Sequence, residues 1–193
     1  MSLEKLHPLI WVVHDFIDPE TTDSVLKEAA MLPPESWNLD APYLNEESFW
    51  LNRTTPPDSF SDGTRDLMEA LCFKVIDYFA DYKEIIEIGN LHRTIADGRS
   101  LDYHVDNYDG ADADNMFGIV LYLNDNYIGG ELHYKDLGIS YKPKAGDLVV
   151  HYAGLLHGVK EVTEGTRYIF TMFVRGNLET TFMGEVADPS LAL

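Results

Sequence analysis

The chain of 193 residues has a single cysteine, Cys72, so no internal disulfide can form and a reducing compartment fits. Cys72 lies in the apolar run Ala70-Leu71-Cys72-Phe73 and reads as a small buried hydrophobe. Long apolar runs are missing as well. None reaches the ~18 residues that mark a membrane-spanning helix, and the N-terminus has no basic stretch followed by an apolar core and a small-residue cleavage site. With neither signal nor span, the expected location is cytoplasmic, with no membrane partner. Basic residues are scarce too: 14 Lys and Arg stand against 33 Asp and Glu, for a net charge of −19. No local basic patch interrupts that surplus, so a nucleic-acid partner is not expected. Repeats and low-complexity segments are absent from the sequence.

What is present is a core-forming composition. At 45% hydrophobic residues, the chain suffices for one compact domain, expected to run over 1–193 without an internal boundary. Leu9 to Phe16 (LIWVVHDF) reads as a strand from its β-branched and aromatic residues, with His14 in a structural role. Asp18-Pro19-Glu20 then supplies an N-cap and a first-turn proline, and a helix is expected to about Met31 with Val25, Leu26 and Ala29 on one face. Pro33-Pro34 ends it. Residues 34–58, with prolines at 42, 56 and 57, read as irregular: either a substrate-side lid or a packed surface loop. From Asp62 to about Tyr82, Leu67, Ala70, Leu71, Val75, Tyr78 and Phe79 recur at helical spacing, with Asp62 as N-cap, predicting a helix laid across a sheet.

After residue 84 the texture changes to short strands punctuated by Gly98, Gly110, Gly129-Gly130, Gly138, Gly146 and Gly165. Strands are expected near 85–95, 100–106, 115–123, 130–135, 138–142, 147–152, 156–162 and 166–174. Roughly eight short strands at such spacing point to a sandwich or barrel, of which the jelly roll is the eight-stranded form. The expected fold class is therefore α+β with a mainly β core. A double-stranded β-helix (jelly roll) would occupy 85–176, the strand and helices of 1–84 would pack on it, and 177–193 would form a tail.

The chemistry is concentrated in Asp102-Tyr103-His104-Val105-Asp106. On a strand, residues two apart share a face, so His104 and Asp106 would project side by side. A second histidine from another strand would complete a 2-His-1-carboxylate set with open positions, which suits non-heme Fe(II) oxygenases. With seven histidines and nineteen aspartates in the chain, chance alone supplies roughly 0.7 His-x-Asp triplets. The triplet therefore needs its context. After it come an acidic loop (Asn107 to Asp112), the strand Phe117 to Asn124, the turn Gly129-Gly130-Glu131-Leu132, and Lys142-Pro143-Lys144-Ala145-Gly146-Asp147 leading into Leu148-Val149-Val150-His151. Leu156-His157-Gly158-Val159 follows, and Arg167-Tyr168 stands ten residues beyond His157. The spacing Asp109, Asp112, Asp114 lacks the pattern and terminal glutamate of an EF-hand calcium loop. Arg167 shares a strand face with Ile169, Thr171 and Phe173, and a guanidinium on that apolar face needs a partner. A structural Arg–Asp pair is one reading; a ligand carboxylate gripped by the fork is the other.

Over roughly 88–175, this order resembles the prolyl 4-hydroxylase-like branch of the Fe(II)/2-oxoglutarate-dependent dioxygenases. The resemblance rests on His-Val-Asp-Asn, Leu-Tyr-Leu-Asn, Gly-Gly-Glu-Leu and the histidine followed ten residues later by Arg-Tyr. It implies iron held by His104, Asp106 and His157, and the distal carboxylate of 2-oxoglutarate held by Arg167 with the Tyr122 hydroxyl. Tyr122 is otherwise a core tyrosine. His151, His133 and His92 do not match the family spacing and read as surface or core residues. The implied reaction is hydroxylation of a C–H bond with O₂, 2-oxoglutarate being decarboxylated to succinate and CO₂, and with L-ascorbic acid as the reductant. Peptidyl proline is the default acceptor; another protein side chain, a free amino acid or another small molecule is the alternative.

Some positions depart from the pattern. Ile95 stands nine residues before His104, where some relatives have tyrosine, Leu101 replaces a common aromatic, and Arg167 stands where collagen-type enzymes more often have lysine. These departures touch the acceptor more than the metal set. Two other functions compete: a non-oxidative, cupin-like metal-binding module, which would not need Arg167, and a nucleic-acid demethylase, which the charge and the placement of Arg175 disfavour.

Overall fold

The structure, a computed structural model, describes residues 1–32, 37–40, 46–50, 70–71, 73–75, 82–96, 101–106 and 116–176, with 38–40, 46–50, 82–90 and 176 described by backbone alone. Among them run fourteen strands and one complete helix, in the order β1 (Ser2–His7), β2 (Ile10–His14), α1 (Pro19–Met31), β3 (Asn38–Asp40), β4 (Glu46–Trp50), β5 (Tyr82–Ile95), β6 (Leu101–His104), β7 (Met116–Tyr122), β8 (Ile128–Gly129), β9 (Leu132–Tyr134), β10 (Ile139–Tyr141), β11 (Leu148–Tyr152), β12 (His157–Val159), β13 (Val162–Glu164) and β14 (Thr166–Gly176). No helix among the described residues is long and apolar enough to cross a membrane.

The strands form an eight-stranded sheet (β1-β2-β11-β7-β14-β5-β4-β3), a four-stranded sheet (β10-β9-β12-β6) and a small β13-β8 pair. Every recorded pairing is antiparallel. This is the jelly-roll architecture that the strand spacing predicts.

Alternation along the strands decides which side chains meet the second sheet. Ile10, Val12, Tyr122, Val149 and Ile169 of the large sheet cluster with Leu132, Tyr134 and Val159 of the small one. Their neighbours Trp11, Val13, Ile119, Leu121, Val150, Phe170 and Met172 face the other way, into a second cluster with Val25 and Ala29 of α1 and with Leu71 and Val75. Because the large sheet is covered on both faces, its central strands read as continuous apolar runs rather than alternating ones.

Helix α1 begins where the sequence places it. The Asp18 side chain accepts from Thr21 N at 2.9 Å, Pro19 occupies the first turn, and Glu20 favours the positive end of the helix dipole. It ends at Leu32, whose backbone is extended, as a residue before proline prefers.

Several expectations need correction. Residues 38–40 and 46–50, expected within an irregular stretch, are paired strands that extend the large sheet through β4–β5 contacts. Short acidic strands carry little intrinsic strand signal; β4 gains what propensity lacks by pairing with β5, and the edge strand β3 by pairing with β4. The expected helix up to Tyr82 runs too far, since Tyr82 already opens β5; Ala70, Leu71 and 73–75 are helical, and Asp62 lies outside the described residues. Strand β1 has no counterpart among the expected elements. The expected strand 156–162 is two strands, β12 and β13, that join different sheets.

His14 is structural, as expected. Its Nε2 lies 2.8 Å from Glu4 Oε2 and its Nδ1 3.1 Å from the buried Asp147 Oδ1, tying β1 and β2 to the turn before β11. The hydrogen bond with Glu4, opposed by burial and aided by Asp147, raises His14 above its ordinary value of 6.5. A raised folded value means this stability is fully present below the unfolded value and is lost as pH rises through the folded one. With Glu4 half exposed, solvent screens the pair and keeps the pH-dependent part small. The stability deficit of His14→Gln in urea titrations should therefore be larger in mildly acidic than in alkaline buffer; a deficit that grows with pH would contradict the assignment.

Candidate metal centre and carboxylate pocket

His104 ends β6, and Asp106 lies two residues past it. The strand pairing stops, but the extended path is kept by another bond: Asp106 N donates to Ala153 O at 2.9 Å, and Ala153 N donates to Met116 O at 3.0 Å. The turn between β11 and β12 thus staples the carboxylate to the start of β7. His157 opens β12, directly opposite His104 in the antiparallel β12–β6 register. Opposed residues in such a pair share a face, and the two imidazole rings lie 4.5 Å apart between centroids. Strand pairing therefore performs the convergence that spacing alone left open.

Both imidazoles are oriented by their own backbone. His104 Nδ1 donates to Asp102 O at 2.8 Å and His157 Nδ1 donates to Leu155 O at 2.9 Å. With Nδ1 carrying the proton, Nε2 presents its lone pair to the centre, the usual arrangement of a metal-ligating histidine. Those Nε2 atoms lie 3.4 Å (His104) and 3.6 Å (His157) from Asp106 carboxylate oxygens, and one donor atom from each of the three residues falls within 4.8 Å of the others. The donor set fits a divalent transition metal. Two nitrogens and one carboxylate are borderline ligands for iron, and three protein ligands leave coordination positions open.

Electrostatics keep the set in its ligating forms. Burial would push the Asp106 carboxyl up, but His157, His104 and His151 together hold it far below the usual carboxylate range. Burial, reinforced by the nearby His151, pushes His157 down to about 4. An ionised carboxylate and a neutral imidazole are what a metal requires.

A second cluster lies on the same inner face of the large sheet. Arg167, 2% exposed, donates from one terminal nitrogen to Thr94 Oγ1 at 3.3 Å and from the other to the Tyr122 hydroxyl at 3.4 Å. Its guanidinium also sits over the Tyr122 ring, 5.3 Å from the centroid. Tyr127, buried beside them, feels the charge of Arg167 and the neighbouring Tyr122, while burial pushes its phenol up. The phenol therefore stays protonated, able to donate. A guanidinium ringed by hydroxyls is a receptor for a carboxylate. Tyr122 lies four residues along β7 from Gly118, the residue in contact range of Asp106, a strand distance of about 13 Å.

His104, Asp106 and His157 thus converge, and Tyr122 meets Arg167 in a separate buried cluster. His92 lies away from the centre, bonded to Thr171 at 2.9 Å, and His133 bonds Tyr103 near the surface. His151 is a core residue, one of its two expected readings: it is 1% exposed, and its Nε2 lies 3.0 Å from Asp106 Oδ2. Its presence in the otherwise apolar run Leu148-Val149-Val150-His151 was the available signal. Thr94 and Tyr127 had none, because a threonine in a strand and a tyrosine in a turn are common. The acidic loop from Asn107 to Asp112 lies outside the described residues.

No family model matches the chain, and no curated protein matches it. Solved structures do. A viral collagen prolyl hydroxylase from Paramecium Bursaria Chlorella virus-1, in complex with 2-oxoglutarate, is 17% identical with a TM-score of 0.63, covering 88% of this chain and 96% of that one. A Trichoplax adhaerens prolyl hydroxylase, in complex with a hypoxia-inducible-factor peptide fragment, is 14% identical with a TM-score of 0.67, covering 92% and 87%. HygX from Streptomyces hygroscopicus, bound to nickel, 2-oxoglutarate and hygromycin B, is 15% identical with a TM-score of 0.57, covering 87% and 83%. At such identities the likeness establishes the fold, which is that of the prolyl hydroxylases.

If the three residues hold one metal, Asp106→Ala should abolish tight Mn(II) binding in calorimetry while leaving the circular dichroism spectrum unchanged. Wild-type-like binding by that variant would rule out the set.

Proposed function

We propose that the chain is a hydroxylase dependent on Fe(II) and 2-oxoglutarate. The observation that carries this reading is the pairing of two sites on one inner face: the His104, Asp106 and His157 donors, and the buried Arg167 with its hydroxyl neighbours. A metal module without oxidation needs the first and has no use for the second. In this reading Fe(II), when bound with 2-oxoglutarate and O₂, supplies the oxidation: 2-oxoglutarate leaves as succinate and CO₂, and one oxygen atom enters a C–H bond of the acceptor.

The protein's own residues bind and orient. His104 and His157 present Nε2, kept there by Nδ1–H bonds to Asp102 and Leu155. Asp106 adds the single negative charge of the set. Arg167 grips the far carboxylate of the cosubstrate through its fork, with Tyr122 and Thr94 as hydroxyl neighbours and Tyr127 as a further donor. Ion-pairing a buried guanidinium with a ligand carboxylate offsets the cost of burying both charges. Ascorbate would serve as the external reductant.

A peptidyl prolyl group is the default acceptor, supported by the fold shared with prolyl hydroxylases and by the peptide complex of one of them. A small polar molecule is the second reading, favoured by the likeness to a structure holding hygromycin B and by a net charge of −19, which attracts cations.

Anaerobic addition of 2-oxoglutarate to the Fe(II)-loaded protein should generate a visible metal-to-ligand absorption band; no band and no binding would overturn the oxygenase reading. Succinate release and a +16 mass shift across prolyl peptides and aminoglycosides would then identify the acceptor class. Arg167→Ala should raise the 2-oxoglutarate requirement by roughly 100-fold, as expected for a lost buried charge pair worth about 3 kcal/mol, with Mn(II) affinity nearly intact. An unchanged requirement would reassign Arg167 to a structural role. Tyr127→Phe should raise it by only about 3- to 10-fold, on the scale of one hydrogen bond.

A further inference from the structure

The resemblance names His104, Asp106 and His157 and leaves His151 without a part. The fold gives it a defined place. Its ring stands on β11 directly opposite Gly118 of β7, 1% exposed, with its centroid 4.4 Å from that of His157. Nε2 lies 3.0 Å from Asp106 Oδ2, and Nδ1 lies 2.8 Å from the hydroxyl of Tyr134 on β9. The room for this meeting comes from a missing side chain. A Cβ at position 118 would stand 2.6 Å from His151 Nε2 and 2.8 Å from Asp106 Oδ2, closer than real Cβ contacts allow.

We propose that His151 is a positioning residue for the Asp106 carboxylate, fixed in one tautomer by Tyr134, and that Gly118 provides the space for it. The proton inventory decides the direction of each bond. An ionised carboxylate only accepts, so His151 Nε2 carries the hydrogen and donates to Oδ2. In the neutral ring Nδ1 is then an acceptor, and the Tyr134 hydroxyl must donate to it. Burial, with the nearby Tyr122 and Asp106, pushes the Tyr134 phenol well above its ordinary value, so the donor hydrogen stays in place.

With Oδ2 engaged, Oδ1 on the His104 side is left for a metal. The carboxylate then binds through one oxygen, and its rotation about the Cβ–Cγ bond is blocked. His104 and His157 have the opposite tautomer, Nδ1–H, because each donates that hydrogen to a carbonyl. Three histidines around one carboxylate thus divide into two lone-pair donors and one hydrogen-bond donor. This inference rests on the metal reading of the same site and adds to it a residue that touches neither metal nor cosubstrate.

The test uses Zn(II)-loaded wild-type protein and three variants. Long-range ¹H–¹⁵N NMR of the wild type should show His151 as the Nε2–H tautomer and the other two as Nδ1–H. An Nδ1–H tautomer at His151 would overturn the proposal, because it would mean that His151 offers Nε2 as a ligand instead. His151→Phe, which keeps the ring volume, should lose about 10- to 100-fold in Mn(II) affinity, the range for removal of an outer-shell partner. His151→Gln, which keeps an amide donor, should recover part of that loss. Gly118→Ala should weaken Mn(II) binding as His151→Phe does, through crowding at the same oxygen. Wild-type Mn(II) affinity in both His151→Phe and Gly118→Ala would overturn the proposal and leave the metal centre standing. A wild-type protein that binds no divalent metal would instead overturn the metal reading, and this proposal with it.

Discussion

Asp106 is a carboxylate whose side chain is only 9% exposed, and an anion so far inside a protein has to be met by charge or by hydrogen bonds. Here it is met by three imidazoles that arrive on three different strands, β6, β11 and β12, while its backbone is held by the turn at Ala153. Removing it would take away the group on which His104, His151 and His157 converge. The requirement also explains the local architecture. Both sheets must approach closely enough for β6 and β12 to face β7 and β11, and Gly118 keeps a side chain from filling the gap. The centre is therefore built jointly by the two sheets.

The large sheet separates packing from chemistry by the pleat alone. One face carries Trp11, Ile119, Leu121, Val150, Phe170 and Met172 under α1 and the helical residues Leu71 and Val75. The opposite face carries Gly118, Tyr122, His151 and Arg167, interleaved with the aliphatic residues that join the sheets. A one-residue slip of β7 or β14 would exchange the two sets. The paired residues on neighbouring strands, His151 with Gly118 and Ile169 with Tyr122, keep the register consistent across three strands. The outer face thus protects the inner one: each buried apolar pair that holds the register also holds a polar side chain in position.

Much of this was legible in the residues. Asp18-Pro19 marks the start of α1, the glycines mark the turns, and the order of motifs around His104 points to the candidate metal donors and to Arg167. Where the structure departs from the sequence expectation, the departures share a physical cause. Strand β4 exists through pairing with β5 and β3 through pairing with β4, and Asn38-Leu39-Asp40 or Glu46-Glu47 carries little strand propensity of its own. Tyr82 continues the apolar pattern of the preceding segment yet belongs to a strand, because a periodic pattern does not record where a chain changes layer. The contact between His151 and Asp106 spans 45 residues and depends on two strand registers, so spacing does not reveal it.

By itself the sequence determined the alphabet of the site: which residues can ligate, which turns are possible, and which strand faces are apolar. These follow from side-chain chemistry and from the two-residue period of a strand, both local properties. The tertiary structure decided the rest. His157 stands opposite His104 because β12 pairs with β6 in that register, and the Tyr134 hydroxyl reaches His151 because two sheets pack face to face. Such relations are set by pairing and packing between distant segments, and no window of sequence contains them.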